Sequence, residues 1–270
     1  MPYAHQRDRS SYPSLRIQML ILETPGGAKV VVDTCVGNDK QRFRSDGSKH
    51  RWHMLQTPFL EDLQSAGIDR HAIDFVLCTH LHIDHVGWNT MLVDGEWQPT
   101  FPNAQYFFER NEFKHWAATE GQYVGGGNIQ ADSVQPIVDA GLATLVDSDH
   151  LIVDEGEQAK IYLRPTPGHT PGHVSIVFES RGETALITGD CIHHPVQIGF
   201  PDFASTADTD QQAAQATRRE LVHDLSSKQS LMIGTHFAPP CRGHVRPADA
   251  ATRDAGGEYM LDVGLGKGGL

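Results

Sequence analysis

The sequence predicts a soluble α/β domain. Short apolar runs of strand length alternate with helical stretches along most of the chain. Charged residues at 21% and hydrophobic residues at 39% match an ordinary globular protein, and 270 residues are enough to bury a core. No apolar run approaches the roughly 20 residues that span a bilayer.

The first element is a hairpin. Arg16 to Glu23 is apolar, Lys29 to Asp33 holds three consecutive valines, and Thr24-Pro25-Gly26-Gly27 between them is turn chemistry. Pro58 to Ala66 places Phe59, Leu60, Leu63 and Ala66 at helical spacing, with Gly67 as C-cap. Ile73 to Cys78 and Ala104 to Glu109 have strand length, and Glu112 to Ala118 reads as a helix. Gly121 to Asp132, with its Gly125-Gly126-Gly127, has no periodicity and predicts a mobile loop or lid. Ser133 to Ala140 follows as a helix. Ala159 to Arg164, Val174 to Glu179 and Thr184 to Thr188 predict three successive strands. Thr209 to Leu225, rich in Ala, Gln, Arg and Glu, is the strongest helical signal, and Leu231 to Gly234 is a last short strand. The expected organisation is a polar segment over 1–15, one α/β domain over 16–252, and a Gly-rich tail over 253–270 that frays from Arg253 on.

The charge balance, −12 with histidine neutral, argues against nucleic acid, because phosphate binding needs a basic face. Met1 to Ser14 lacks the apolar core of a secretory signal, so a cytoplasmic location is expected and no membrane partner. Cys35, Cys78, Cys191 and Cys241 are scattered without a CxxC pair, which signals neither a disulfide framework nor a cysteine zinc site.

The 16 histidines are informative through their spacing. His80-Leu81-His82-Ile83-Asp84-His85 follows the strand ending near Cys78. His169 and His173 lie after the strand ending near Arg164, Asp190 after the strand ending at Thr188, and His236 after the last strand. Ligands at strand ends gather where a rigid scaffold positions loop backbones. Imidazole and carboxylate donors suit zinc and its first-row neighbours, and a set without cysteine favours hydrolytic over structural zinc.

At these residues the chain resembles the metallo-β-lactamase superfamily. THLHIDH (Thr79 to His85), TPGHTPGH (Thr166 to His173), TGD (Thr188 to Asp190) and GTHFAPP (Gly234 to Pro240) match that pattern in order and spacing. The resemblance implies an αβ/βα four-layer sandwich, with two mixed β-sheets, helices outside, and a two-metal site. It implies His80, His82 and His169 on the first metal, Asp84, His85 and His236 on the second, and Asp190 bridging both. The metals would be two divalent ions, zinc first, with iron, manganese or cobalt also accepted by such donors. Zinc β-lactamases proper usually lack a histidine after Asp84 and place cysteine where Asp190 stands, so that activity is disfavoured.

Within the superfamily the chain looks most like the branch of N-acyl-homoserine lactonases and methyl parathion hydrolase. Asp33 to Lys40 (DTCVGNDK), Gly87-Trp88-Asn89 and Pro102 to Phe108 (PNAQYFF) carry that likeness. Members of the branch usually carry further strand-forming sequence before the segment matching Arg16 to Glu23; here a polar stretch precedes it, which puts pocket walls and an N-terminal dimer contact in question. Homodimerisation stays open.

The resemblance implies a metal-bridging hydroxide as nucleophile, acting on an ester-like bond of a small-molecule substrate. A lactone is the best fit, with organophosphate hydrolysis as a side activity. Asp84 is the expected proton carrier. His193 and His194 stand where the lactonases commonly have a tyrosine that holds the substrate carbonyl, so both are candidate catalytic donors; the alternative is that they cover the metal loop. His173 is expected to orient a ligand from behind or to support its loop. Phe200, Phe203, Phe237 and Trp88 are either pocket walls or core. Two other readings remain: a thioesterase like glyoxalase II, and a non-hydrolytic metal-binding protein or oxidoreductase of the same fold.

Overall fold

The computed structural model describes residues 15–44, 46–119 and 128–264. Its chain forms two compact units, one of residues 17–148 and one of residues up to 16 together with 149 onward.

In the 17–148 unit, β1 (Leu20–Glu23) and β2 (Lys29–Val32) form the expected antiparallel hairpin, Leu20 opposite Val32. Gly27 takes φ +92° in its turn, a conformation that glycine adopts without steric penalty. Helix α1 (Phe59–Ser65) is followed by Gly67 in the left-handed region, as its sequence predicts. Strand β3 (Phe75–Leu77) runs parallel to β2. A separate hairpin, β4 (Thr90–Val93) and β5 (Glu96–Pro99), turns at Asp94-Gly95. Then come β6 (Gln105–Glu109), α2 (Arg110–Ala118), a π-helical turn (Gln130–Val134), α3 (Gln135–Asp139) and β7 (Ala143–Val146). The sheet order is β1-β2-β3-β6-β7, parallel except for the first pair. Val31, Val76, Tyr106, Phe108, Trp116 and Ile137 lie in its core.

Residues 121–127 of the expected mobile loop lie outside the described residues. Its end corrects the expectation: Ile129 is buried, and the Asp132 carboxylate is clamped by Arg42 through two hydrogen bonds of 2.5 and 2.9 Å. An ionised side chain held bidentately in a buried setting anchors its segment.

In the second unit, β8 (Leu151–Asp154), β9 (Lys160–Pro165), β10 (Val174–Ser180) and β11 (Glu183–Ile187) form an antiparallel run. A short helix α4 (Val196–Gly199) precedes the long helix α5 (Gln211–Lys228), which starts at an Asp210 cap accepting the Ala213 N–H. Strand β12 (Leu231–Ile233) pairs parallel with β11, and β13 (Arg242–Pro247) follows antiparallel. The tail does not fray from Arg253. After α6 (Ala250–Asp254) it adds β14 (Tyr259–Asp262) to β13, with Leu261 in the core; residues 265–270 lie outside the described residues. The mixed sheet has the order β14-β13-β12-β11-β10-β9-β8. No helix among the described residues is long and apolar enough to cross a membrane.

Candidate metal centre

In the 17–148 unit the parallel pairing of β2 and β3 ends both strands side by side, so Asp33 meets the start of the histidine motif. Asp33, itself in the left-handed region at φ 55°, accepts the Thr79 N–H at 2.8 Å, the Thr79 hydroxyl at 2.9 Å and His85 Nδ1 at 2.9 Å. The Thr79 hydroxyl, its hydrogen committed to Asp33, accepts from His80 Nδ1 at 3.1 Å. Both rings therefore carry hydrogen on Nδ1 and present Nε2 as a lone pair. The His80 ring centroid is 4.5 Å from that of His82 and 4.1 Å from that of His85. His85 Nε2 stands 3.7 Å from Asp84 Oδ1. Behind His82, the buried Glu112 takes the Leu81 N–H (3.0 Å) and the Trp116 Nε1–H (2.7 Å), and the Trp116 ring packs edge-on against His82.

The second unit repeats the arrangement around Asp190. His169 Nε2 lies 3.4 Å and His193 Nε2 3.2 Å from Asp190 Oδ2, and His236 Nε2 lies 2.9 Å from Oδ1. His169 Nδ1 donates to Asp208 Oδ1 at 2.9 Å, and His236 Nδ1 to the Arg16 carbonyl at 2.7 Å. The His169 and His236 tautomers are thereby locked with Nε2 as acceptor. His193 differs: its Nδ1 is buried with no hydrogen-bond partner among the described residues, so its hydrogen is free to sit on Nε2. The His193 ring lies parallel to that of His236, 5.9 Å away. His173 braces the Asp190 loop: its Nε2 accepts the Asp190 N–H at 2.9 Å, and its Nδ1 lies 3.1 Å from the Thr166 carbonyl oxygen. His194 uses Nδ1 to accept the Val196 N–H at the start of α4, and burial pushes its imidazole below the usual range.

Glycines in the motifs make room for these rings. A Cβ on Gly168 (φ +130°) would come within 2.2 Å of the Ala214 backbone nitrogen, so only glycine lets α5 press on the His169 loop. A Cβ on Gly234 would meet the Phe237 ring at 2.4 Å. Phe237 is core and Trp88 is buried against Phe59, whereas Phe203 is 55% exposed and stacks on Phe200. Sequence reading missed the supporting residues Asp33, Glu112, Asp208 and Arg218. A carboxylate directly after a strand, as Asp33 is, was the one local signal for any of them.

This chemistry fits divalent metal. Imidazole lone pairs and a carboxylate are all acceptors, and at about 3 Å they repel unless a cation or a shared proton lies among them. Asp208 shows that the setting favours charge separation: burial pushes its carboxyl up, but the His169 and Ser205 hydrogen bonds outweigh that and hold it below its usual range.

The sequence pattern of the metallo-beta-lactamase superfamily matches residues 17–236, and the chain belongs to that superfamily. It is 30% identical over 156 residues to the N-acyl homoserine lactonase AttM of Rhizobium radiobacter, covering 56% of this chain and 54% of that protein. The AttM of Azorhizobium caulinodans is 31% identical over 153 residues, 54% of this chain and 53% of its own. The chain thus spans about half the length of the curated relatives it matches. Among solved structures, the hydrolase AbOPH of the beta-lactamase superfamily superposes with a TM-score of 0.70 at 23% identity, over 92% of this chain and 79% of that one. AidC, a dizinc quorum-quenching lactonase in complex with a product, gives 0.67 at 21% identity over 92% and 79%. The fold is the metallo-β-lactamase fold, with two mixed sheets and helices. Its His and Asp clusters are consistent with a binuclear metal site.

Proposed function

We propose that the protein is a binuclear metallohydrolase that opens a lactone ring, with His80, His82, Asp84, His85, His169, Asp190 and His236 as metal ligands. The observation that carries this is the pair His169 and His236, each fixed at Nδ1 with Nε2 3.4 and 2.9 Å from Asp190, beside His80 and His85, likewise fixed at Nδ1. Each unit carries its own cluster of His and Asp donors, and the likeness to AidC, a dizinc lactonase, supports two ions. The likeness to AttM and AidC supports an acyl homoserine lactone as substrate class.

Bound ions would supply Lewis acidity and an acidified water. The remaining tasks fall to side chains. His193, its tautomer unlocked, donates from Nε2 to the substrate carbonyl oxygen as charge develops there. Asp84, the more exposed aspartate of the ligand set, carries a proton from Oδ1 to the leaving alkoxide. A small-molecule substrate is the expected partner.

The test is hydrolysis by purified, zinc-loaded protein of acyl homoserine lactones, aryl phosphotriesters and acyl-glutathione thioesters, with metal measured on the same sample. About two zinc per chain and fastest turnover of lactones are expected. Turnover of thioesters alone would move the assignment to a glyoxalase II-like enzyme, and one zinc in both wild type and Asp190→Ala would remove the bridging role.

A further inference from the structure

Helix α5 buries one face formed by Ala214, Arg218, Leu221, Val222 and Leu225. A fully buried arginine in that apolar stripe is tolerated only when its donors are matched. Its Nε donates to the Cys191 carbonyl at 2.8 Å, and its Nη1 to the carbonyls of Pro201 at 2.6 Å and Phe203 at 3.0 Å. Nη2, which makes no hydrogen bond among the described residues, is matched by charge: it stands 3.6 Å from Asp208 Oδ2, an ion pair, and the other oxygen of Asp208 receives His169 Nδ1. Buried Gln197 reaches the same Phe203 carbonyl with Nε2 (2.7 Å) while its Oε1 accepts the His193 N–H (2.8 Å). The backbone from Cys191 to Phe203, which begins beside Asp190 and carries His193, thus hangs on two buried polar side chains.

We infer that Arg218 is a positioning residue for the metal centre, holding Asp208 against His169 and the 191–203 segment against α5 so that His169, His193 and Asp190 converge. This rests on the metal-centre reading above. Helix packing alone would make Arg218 matter for stability and leave metal affinity untouched. Action through Asp208 makes it matter for affinity, because a partner behind a ligating histidine fixes the direction of its lone pair.

The experiment uses the full chain as Arg218→Met, Arg218→Lys, Asp208→Asn and the Arg218→Met/Asp208→Asn pair. Zinc affinity is read by chelator competition, the cobalt(II) absorption spectrum reports ligand geometry, and the melting point of metal-free protein reports folding. Expected are a loss of about 10–100-fold in zinc affinity and an altered cobalt spectrum for Arg218→Met, partial recovery in Arg218→Lys, and a double variant no weaker than the worse single one. If Arg218→Met does not fold, the inference stands or falls on weakened zinc binding by Arg218→Lys. Folded Arg218 variants that bind zinc as tightly as wild type, or losses that add in the double variant, overturn the inference alone. Wild-type protein that binds no zinc overturns the metal-centre reading together with it.

Discussion

His193 and His194 are neighbours with opposite fates. The first reaches the Asp190 carboxylate with Nε2; the second spends Nδ1 on the backbone of α4. His169 and His236 are locked by acceptors at Nδ1, as the proposed ligand role requires, whereas His193 has no such lock and keeps a transferable or donatable hydrogen on Nε2. Removing a well-aimed donor to a developing oxyanion costs on the order of a hundredfold in turnover. His193→Ala is therefore expected to lower kcat for an acyl homoserine lactone by about that factor with metal content unchanged, while the loss in His194→Ala stays within a few-fold. Equal, small losses in both variants, with zinc assayed on each sample, would return the pair to loop packing.

At the scale of elements, the π-helical turn Gln130–Val134 is held by buried charges in addition to its own backbone hydrogen bond from the Gln135 N–H to the Gln130 carbonyl. Fully buried Lys40 donates to the Thr90 hydroxyl and to the Asp132 carbonyl, each at 2.8 Å, and lies 3.7 Å over the Trp97 ring, beside the Arg42–Asp132 pair. Burial pushes the Lys40 ammonium down to about 7, with Asp132 pulling the other way. The unfolded chain keeps that proton to the ordinary value of 10.5. Between these values the unfolded state binds more protons, so stability rises with pH; below about 7 the cost of the buried charge is fully present. Urea unfolding at several pH values from 7 to 10 should show wild type gaining stability relative to Lys40→Met, by an amount on the order of a few kcal/mol. Parallel pH curves for the two proteins would mean that Lys40 stays charged in the fold.

Across the whole molecule, the proposed ligands are spread from His80 to His236, and ions that bind only the native state stabilise it by mass action. Chelation is expected to lower the melting temperature by roughly 5 to 10 °C, and two equivalents of zinc to restore it. Unchanged melting after verified removal of metal would separate folding from metal binding.

The donor motifs were legible because a turn after a strand places its side chains locally: THLHIDH, TGD and GTH need only a strand end and a few residues. Hairpin β1–β2, helix α1 and helix α5 were readable for the same reason, since their periods and turn residues are contiguous. The β4–β5 hairpin carries the same kind of local signal in Asp94-Gly95, both at positive φ. What no local pattern carries is the choice of partner behind each histidine. Asp33 meets His85 across 52 positions, Asp208 meets His169 across 39, and Arg42 meets Asp132 across 90. A buried carboxylate looks the same in sequence as a solvated one. Its role appears only when the topology of the sheets and α5 brings an imidazole or a guanidinium within hydrogen-bonding distance, out of reach of water.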